Sequence, residues 1–193
     1  IQHNTSGFAS PAEKNIKTPA DFEGKKYGGW GSPIEEAVLK GLMSKVGADF
    51  STVKVVDMGA ADFFTATQKD VDFAWIYYGW DGITAEVRNI PINFIKLQDI
   101  DPRLDFYTPV IIAHEELLKN EPELAKKFLK ATARGYKFAI DNPEEAVESL
   151  LNYAPEIDKN IAVPSQKYLA KEYISDAKRW GEMKEETWEN YGK

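Results

Sequence analysis

The stretch Tyr27-Gly-Gly-Trp-Gly-Ser-Pro-Ile-Glu-Glu36 decides how the rest of the chain is read. Ser32 stands where a helix N-cap belongs, Pro33 suits the first helical position, and Glu35, three residues after the serine, completes a capping box. Downstream, Ile34, Val38, Leu42 and Val46 recur every four residues, with Leu39 and Met43 widening the stripe, so a helix over 33–46 is predicted. Upstream, 25–30 reads as a short strand. A strand running through glycines into a capped helix is one half of a crossover unit, and it leaves Trp30, a bulky side chain, between two glycines at the helix mouth.

The same alternation continues outward. Strands are predicted over 53–57, 71–78 and 92–97, helices over 60–69 and 80–88, and a further strand over 106–113. Strands separated by helices of this length indicate an α/β fold with a largely parallel sheet covered on both faces. After His114 the chain reads as helical to its end, with Pro122, Pro143 and Pro164 each suited to begin a helix and Asn142 to cap the second.

Composition narrows the chemistry. The 193 residues are 43% hydrophobic and 12% aromatic, enough for a substantial core. The net charge of −7 provides no basic footprint for nucleic acid or an anionic membrane surface. Cysteine is absent, which removes disulfides, thiol nucleophiles and thiolate metal sites. With two histidines, His3 and His114, and no paired spacing, a metal site is not expected. No run approaches the roughly 18 apolar residues of a membrane span. No nucleophile elbow or Ser-His-Asp order occurs, so neither catalytic residues nor a cofactor are assigned and an enzyme is not expected. The acidic pairs Glu115-Glu116, Glu144-Glu145 and Glu185-Glu186 read as solvated helix surface.

Three places could carry binding. In open α/β sheets ligands sit beyond the carboxyl ends of strands, where helix N-termini present free N–H groups. At the first such place Gly31, Ser32, Glu35 and Trp30 could meet a planar polar ligand; an ordinary strand-to-helix turn with an inward tryptophan would use the same residues. The second is Phe73-Ala-Trp-Ile-Tyr-Tyr-Gly-Trp-Asp-Gly82. Alternation sends Trp75 and Tyr77 to one face and Ile76 and Tyr78 to the other. Core packing accounts for Trp75 and Ile76. Tyr77, Tyr78, Trp80 and Asp81 together suit a stacked ring whose N–H donors meet a carboxylate, although Asp81 also reads as a helix cap. The third is His3-Asn-Thr-Ser-Gly-Phe8, a hinge or a frayed terminus, in which His3 reads as a bystander.

The segments NTSGFAS (4–10), DFEGKKYGGWGSPIEEAVLKGLM (21–43), FFTATQKDVDFAWIYYGWDGI (63–83) and the stretch 107–147 resemble the substrate-binding proteins of ABC importers, in the branch that takes up thiamine pyrimidine precursors. That resemblance implies a two-lobed type II periplasmic-binding-protein fold that closes over its ligand. The chain would supply mainly the second lobe and the returning helices, with the first lobe largely missing. Residues 1–22 would be a crossover or hinge, 23–105 an α/β lobe with a mixed sheet, and 106–193 a returning strand and helical segment. It implies a monomeric binder of a formylaminopyrimidine or hydroxymethylpyrimidine, held by Trp30, Gly31, Ser32, Glu35, Tyr77, Tyr78, Trp80 and Asp81, with Asn4 from the crossover. Its partner would be a membrane permease, and its location extracytoplasmic: periplasmic, or anchored as a lipoprotein. Other cargoes on the same fold are a riboflavin-like ring or an alkyl sulfonate, which Asp81 would repel. A pyrimidine synthase of related fold needs a cysteine-rich iron motif that this sequence lacks.

Overall fold

The computed structural model describes residues 1–59 and 61–192, which fall into two units: Thr5–Leu104, and Ile1–Asn4 with Asp105–Lys193. The first unit is built on a sheet of β1 (Ser6–Pro11), β2 (Lys26–Gly29), β3 (Lys54–Asp57), β4 (Phe73–Tyr77) and β5 (Ile92–Lys96), in the order β3-β2-β4-β1-β5. β2 pairs in parallel with both β3 and β4, whereas β1 lies antiparallel between β4 and β5. Four strands thus share one direction and the sheet is mixed. The sequence reading missed β1: its Asn-Thr-Ser-Gly start looks like a loop, yet Asn4, Thr5 and Ser6 are buried and Phe8 and Ala9 pack on opposite faces.

Alternation along the strands fills both faces. On one, Phe8, Phe22, Tyr27, Phe73 and Trp75 form an aromatic cluster, with Phe22 stacked on Phe73 at 4.3 Å between centroids. On the other, Ala9, Ala74 and Ile76 pack against Phe63 and Phe64 of α2 (Phe63–Lys69) and Ala85 of α3 (Ile83–Val87). The predicted 60–69 helix therefore starts later, with Asp62 as N-cap accepting from the Thr65 N–H at 2.9 Å; Ala60 lies outside the described residues. The predicted 80–88 helix opens as a wide turn, Tyr78–Gly82, before α3.

The opening stretch forms as its caps demand. α1 spans Pro33–Lys45, with Ser32 and Glu35 making the capping box. Its buried stripe is Glu35, Val38, Leu39, Leu42 and Met43, while Ile34 and Val46 are exposed. The stripe is turned relative to the four-residue pattern because a carboxylate, Glu35, occupies a core-facing position. β3 is short and mostly exposed, as suits an edge strand with charged ends.

The second unit contains α5 (Glu115–Asn120), α6 (Pro122–Asp141), α7 (Pro143–Leu151), α8 (Lys159–Glu172) and α9 (Glu185–Tyr191); α4 (Leu97–Ile100) belongs to the first unit. Pro122 and Pro143 begin α6 and α7 as predicted. Pro164 does not begin a helix: Asp158, whose side chain accepts from the Asn160 N–H, starts α8 earlier and leaves the proline inside it. The predicted strand at 106–113 is absent. Val110, Ile111 and Ile112 have no neighbouring strand among the described residues and are exposed, so their β-branched preference finds nothing to pack against. Among the described residues no helix is long and apolar enough to cross a membrane.

Candidate functional site

β3, β2 and β4 are adjacent and parallel, so their carboxyl ends meet at one edge of the first unit. Trp30 follows β2, Asp57 ends β3 level with Gly29, and Tyr77 ends β4. Three large rings stand out to solvent in the segments leaving that edge: Trp30 at 45% exposure, Tyr77 at 47% and Trp80 at 44%. A single exposed ring is ordinary on a protein surface; three in the segments that leave one sheet edge form a candidate ligand face.

Beneath Trp30 the turn is held by Glu35. It is 2% exposed and accepts from the Tyr27 hydroxyl at 2.5 Å, from the Trp30 N–H at 3.1 and 3.2 Å, and from the Ser32 N–H at 2.9 Å. Burial and the neighbouring carboxylate push the Tyr27 phenol well above its ordinary pKa, so it remains a donor. The carboxylate expected to meet a ligand is thus engaged by the protein itself. Ser32 spends its hydroxyl and N–H on the capping box. Gly31 has φ +80°, a backbone that favours glycine, and a side chain there would also approach Asp57.

The tyrosine pair splits as alternation predicts. Trp75 lies against Phe8 and Trp30, the latter at 5.6 Å and 59°. Tyr78 turns to the opposite face, its ring against Phe94 at 4.9 Å and its hydroxyl on Glu86. Gly82 makes room for that ring, since a Cβ there would fall 2.5 Å from it. Tyr77 and Tyr78 therefore do not share a face.

Asp81 sits in the wide turn, with the Tyr77 N–H 3.4 Å from Oδ2. Burial raises its pKa above the ordinary carboxylate value; the Tyr77 N–H works against this, and the charge of Asp62 adds to it. A partly desolvated carboxylate is a strong acceptor for a donor brought by a ligand. Asn4 is buried, lies in the other unit, and its N–H donates to Asp105 at 2.8 Å.

Two features escaped the sequence reading. Asp57 joins the edge only because β3 pairs with β2, which no local pattern reveals. His3 is no bystander: its Nδ1 lies 2.6 Å from Asp105 and its Nε2 2.9 Å from Asp176, which ties the terminus into the second unit. Among the described residues no group of three or more acidic or histidine side chains is arranged to hold a metal.

Known proteins share this architecture. The formylaminopyrimidine-binding protein of Halalkalibacterium halodurans is 26% identical over 144 residues, which cover 72% of this chain and 42% of that one. The periplasmic aliphatic sulphonate-binding protein SsuA of Escherichia coli superposes with a TM-score of 0.66 at 16% identity, over 87% of this chain and 53% of that one. The ligand-binding component of an ABC-type import system from Staphylococcus aureus gives 0.64 at 13% identity, over 98% and 62%. The desulfurization enzyme DSZB gives 0.55 at 13%, over 99% and 67%. The fold is that of periplasmic solute-binding proteins, and the chain spans less than half the length of the curated relatives it matches. The model of the NMT1/THI5-like family matches residues 1–146, well over half of the chain, and the protein belongs to that family.

Proposed function

We propose that the chain is part of an extracytoplasmic solute-binding protein of an ABC importer, whose cargo is an aminopyrimidine of the thiamine-precursor type. One observation carries this reading: exposed aromatic rings and the desolvated Asp81 carboxylate gather at the carboxyl edge of adjoining parallel strands. Trp30, Tyr77 and Trp80 stack on the ring, and Asp81 accepts from its amino group. Glu35 and Ser32 position the Trp30 turn, and Tyr78 buttresses the loop bearing Asp81. The partner is a membrane permease, and the binder acts as a monomer, in the periplasm or anchored at the outer face. The formylaminopyrimidine-binding relative supports this cargo; the sulphonate-binding neighbour shares only the fold, and a carboxylate at the edge opposes an anionic cargo.

The test is calorimetric titration of a formylaminopyrimidine into the wild type and Asp81→Asn. Loss of a charge-assisted hydrogen bond weakens binding by about 10- to 100-fold. Equal affinities would remove Asp81 from the site, and preferential binding of an alkyl sulfonate would replace the cargo.

A further inference from the structure

Two buried side-chain polar atoms find no hydrogen-bond partner among the described residues, Thr84 Oγ1 and Trp75 Nε1. A hydroxyl can rotate to seek a partner, but an indole N–H points one way. Leaving it unmet in the interior costs about 1–3 kcal/mol relative to water, so a native structure that keeps one calls for a reason. Trp75 is 9% exposed and sits on the strand face that ends in Tyr77, two residues on. Its ring packs against that of Trp30, 5.6 Å away and tilted by 59°, and Trp30 is half-exposed and carried between Gly29 and Gly31. The indole that carries the unmet donor is therefore the buried neighbour of an exposed ring of the site, and that ring stands between two glycines.

We propose that Trp75 Nε1 is a ligand donor and specificity determinant on the floor of this site, uncovered when Trp30 swings aside. This rests on the reading of the edge as an aminopyrimidine site and adds its missing half. Asp81 can only accept when ionised, and the indole can only donate. A heterocycle that presents an amino donor beside a ring-nitrogen acceptor satisfies both; a hydrocarbon ring, or one offering donors alone, leaves the indole unmet. The ligand class is thus an aromatic amine with an adjacent ring nitrogen, and discrimination comes from the unpaired polar group that the wrong ligand leaves behind.

Trp75→Phe removes the donor and keeps a ring in the core. The expected result is about a tenfold loss of affinity for 4-amino-5-hydroxymethyl-2-methylpyrimidine, in a variant that stays folded because the relief of the unmet N–H offsets part of the cost of the smaller ring. A benzene analogue lacking the ring nitrogens should bind the wild type weakly, and Trp75→Phe should discriminate less between the two compounds. In 15N spectra the Trp75 indole resonance should move downfield as the pyrimidine is added. Wild-type binding with equal affinity in Trp75→Phe overturns this inference and leaves the proposed function standing. Absence of pyrimidine binding in the wild type overturns both.

Discussion

Glu35 and His3 show how much a single ionisable residue decides. Glu35 occupies a core-facing helix position and is tolerated because three donors meet it, the Trp30 N–H reaching both oxygens. Glu35→Ala would strand the Tyr27 hydroxyl and the Trp30 and Ser32 N–H groups, at a cost of about 2–4 kcal/mol in urea unfolding. Glu35→Gln should lose less, since its amide oxygen still accepts. For His3, burial alone would lower the pKa, but the hydrogen bonds and charges of Asp105 and Asp176 outweigh it and the net shift is upward. Protonated, both ring nitrogens donate; neutral, only one can. A raised folded pKa means the contribution is complete below the unfolded value of about 6.5 and is lost as pH rises through the folded value. Thermal unfolding of the second unit should therefore occur at lower temperature above neutrality than at pH 6, and His3→Gln should flatten that difference. An unchanged pH profile in His3→Gln would remove His3 from the account.

Elements were legible where their signals are local. The Ser32–Glu35 capping box, and the prolines opening α6 and α7, work through contacts within one turn, so α1, α6 and α7 begin where the residues say. Signals that need a neighbour misled. The β-branched run at 110–112 has no strand beside it and remains irregular, while the polar start of β1 enters the sheet between β4 and β5. The wide turn Tyr78–Gly82 depends on Gly82 lying under the Tyr78 ring. Gly82→Ala should push that ring off Phe94 and cost about 1–3 kcal/mol. If the proposed site holds its ligand through Asp81 in the same loop, the substitution should also weaken binding, measured by parallel denaturation and titration.

At the scale of the whole molecule, α6 buries none of its residues, and Leu124, Phe128 and Leu129 are exposed along it. With Ile111 and Ile112, the latter 88% exposed, they leave the second unit with a broad apolar surface, and a groove of about 660 Å³ opens among Val110, Leu129, Tyr136 and Trp180. A surface of this kind in water binds apolar dyes and drives association. The chain studied alone should enhance anilinonaphthalene sulfonate fluorescence and show concentration-dependent association in light scattering, and Phe128→Lys with Ile112→Lys should reduce both. The sequence by itself determined the α/β alternation, the capped helix after β2, the aromatic and acidic residues near strand ends and the absence of thiol chemistry, because each depends on covalent neighbours or on composition. Only the tertiary structure decided that Glu35 faces inward, that Asp57 joins the edge and that Trp75, packed against Trp30, keeps an unmet N–H. Those outcomes depend on which strands pair and which faces are covered, and residues distant in sequence settle them together.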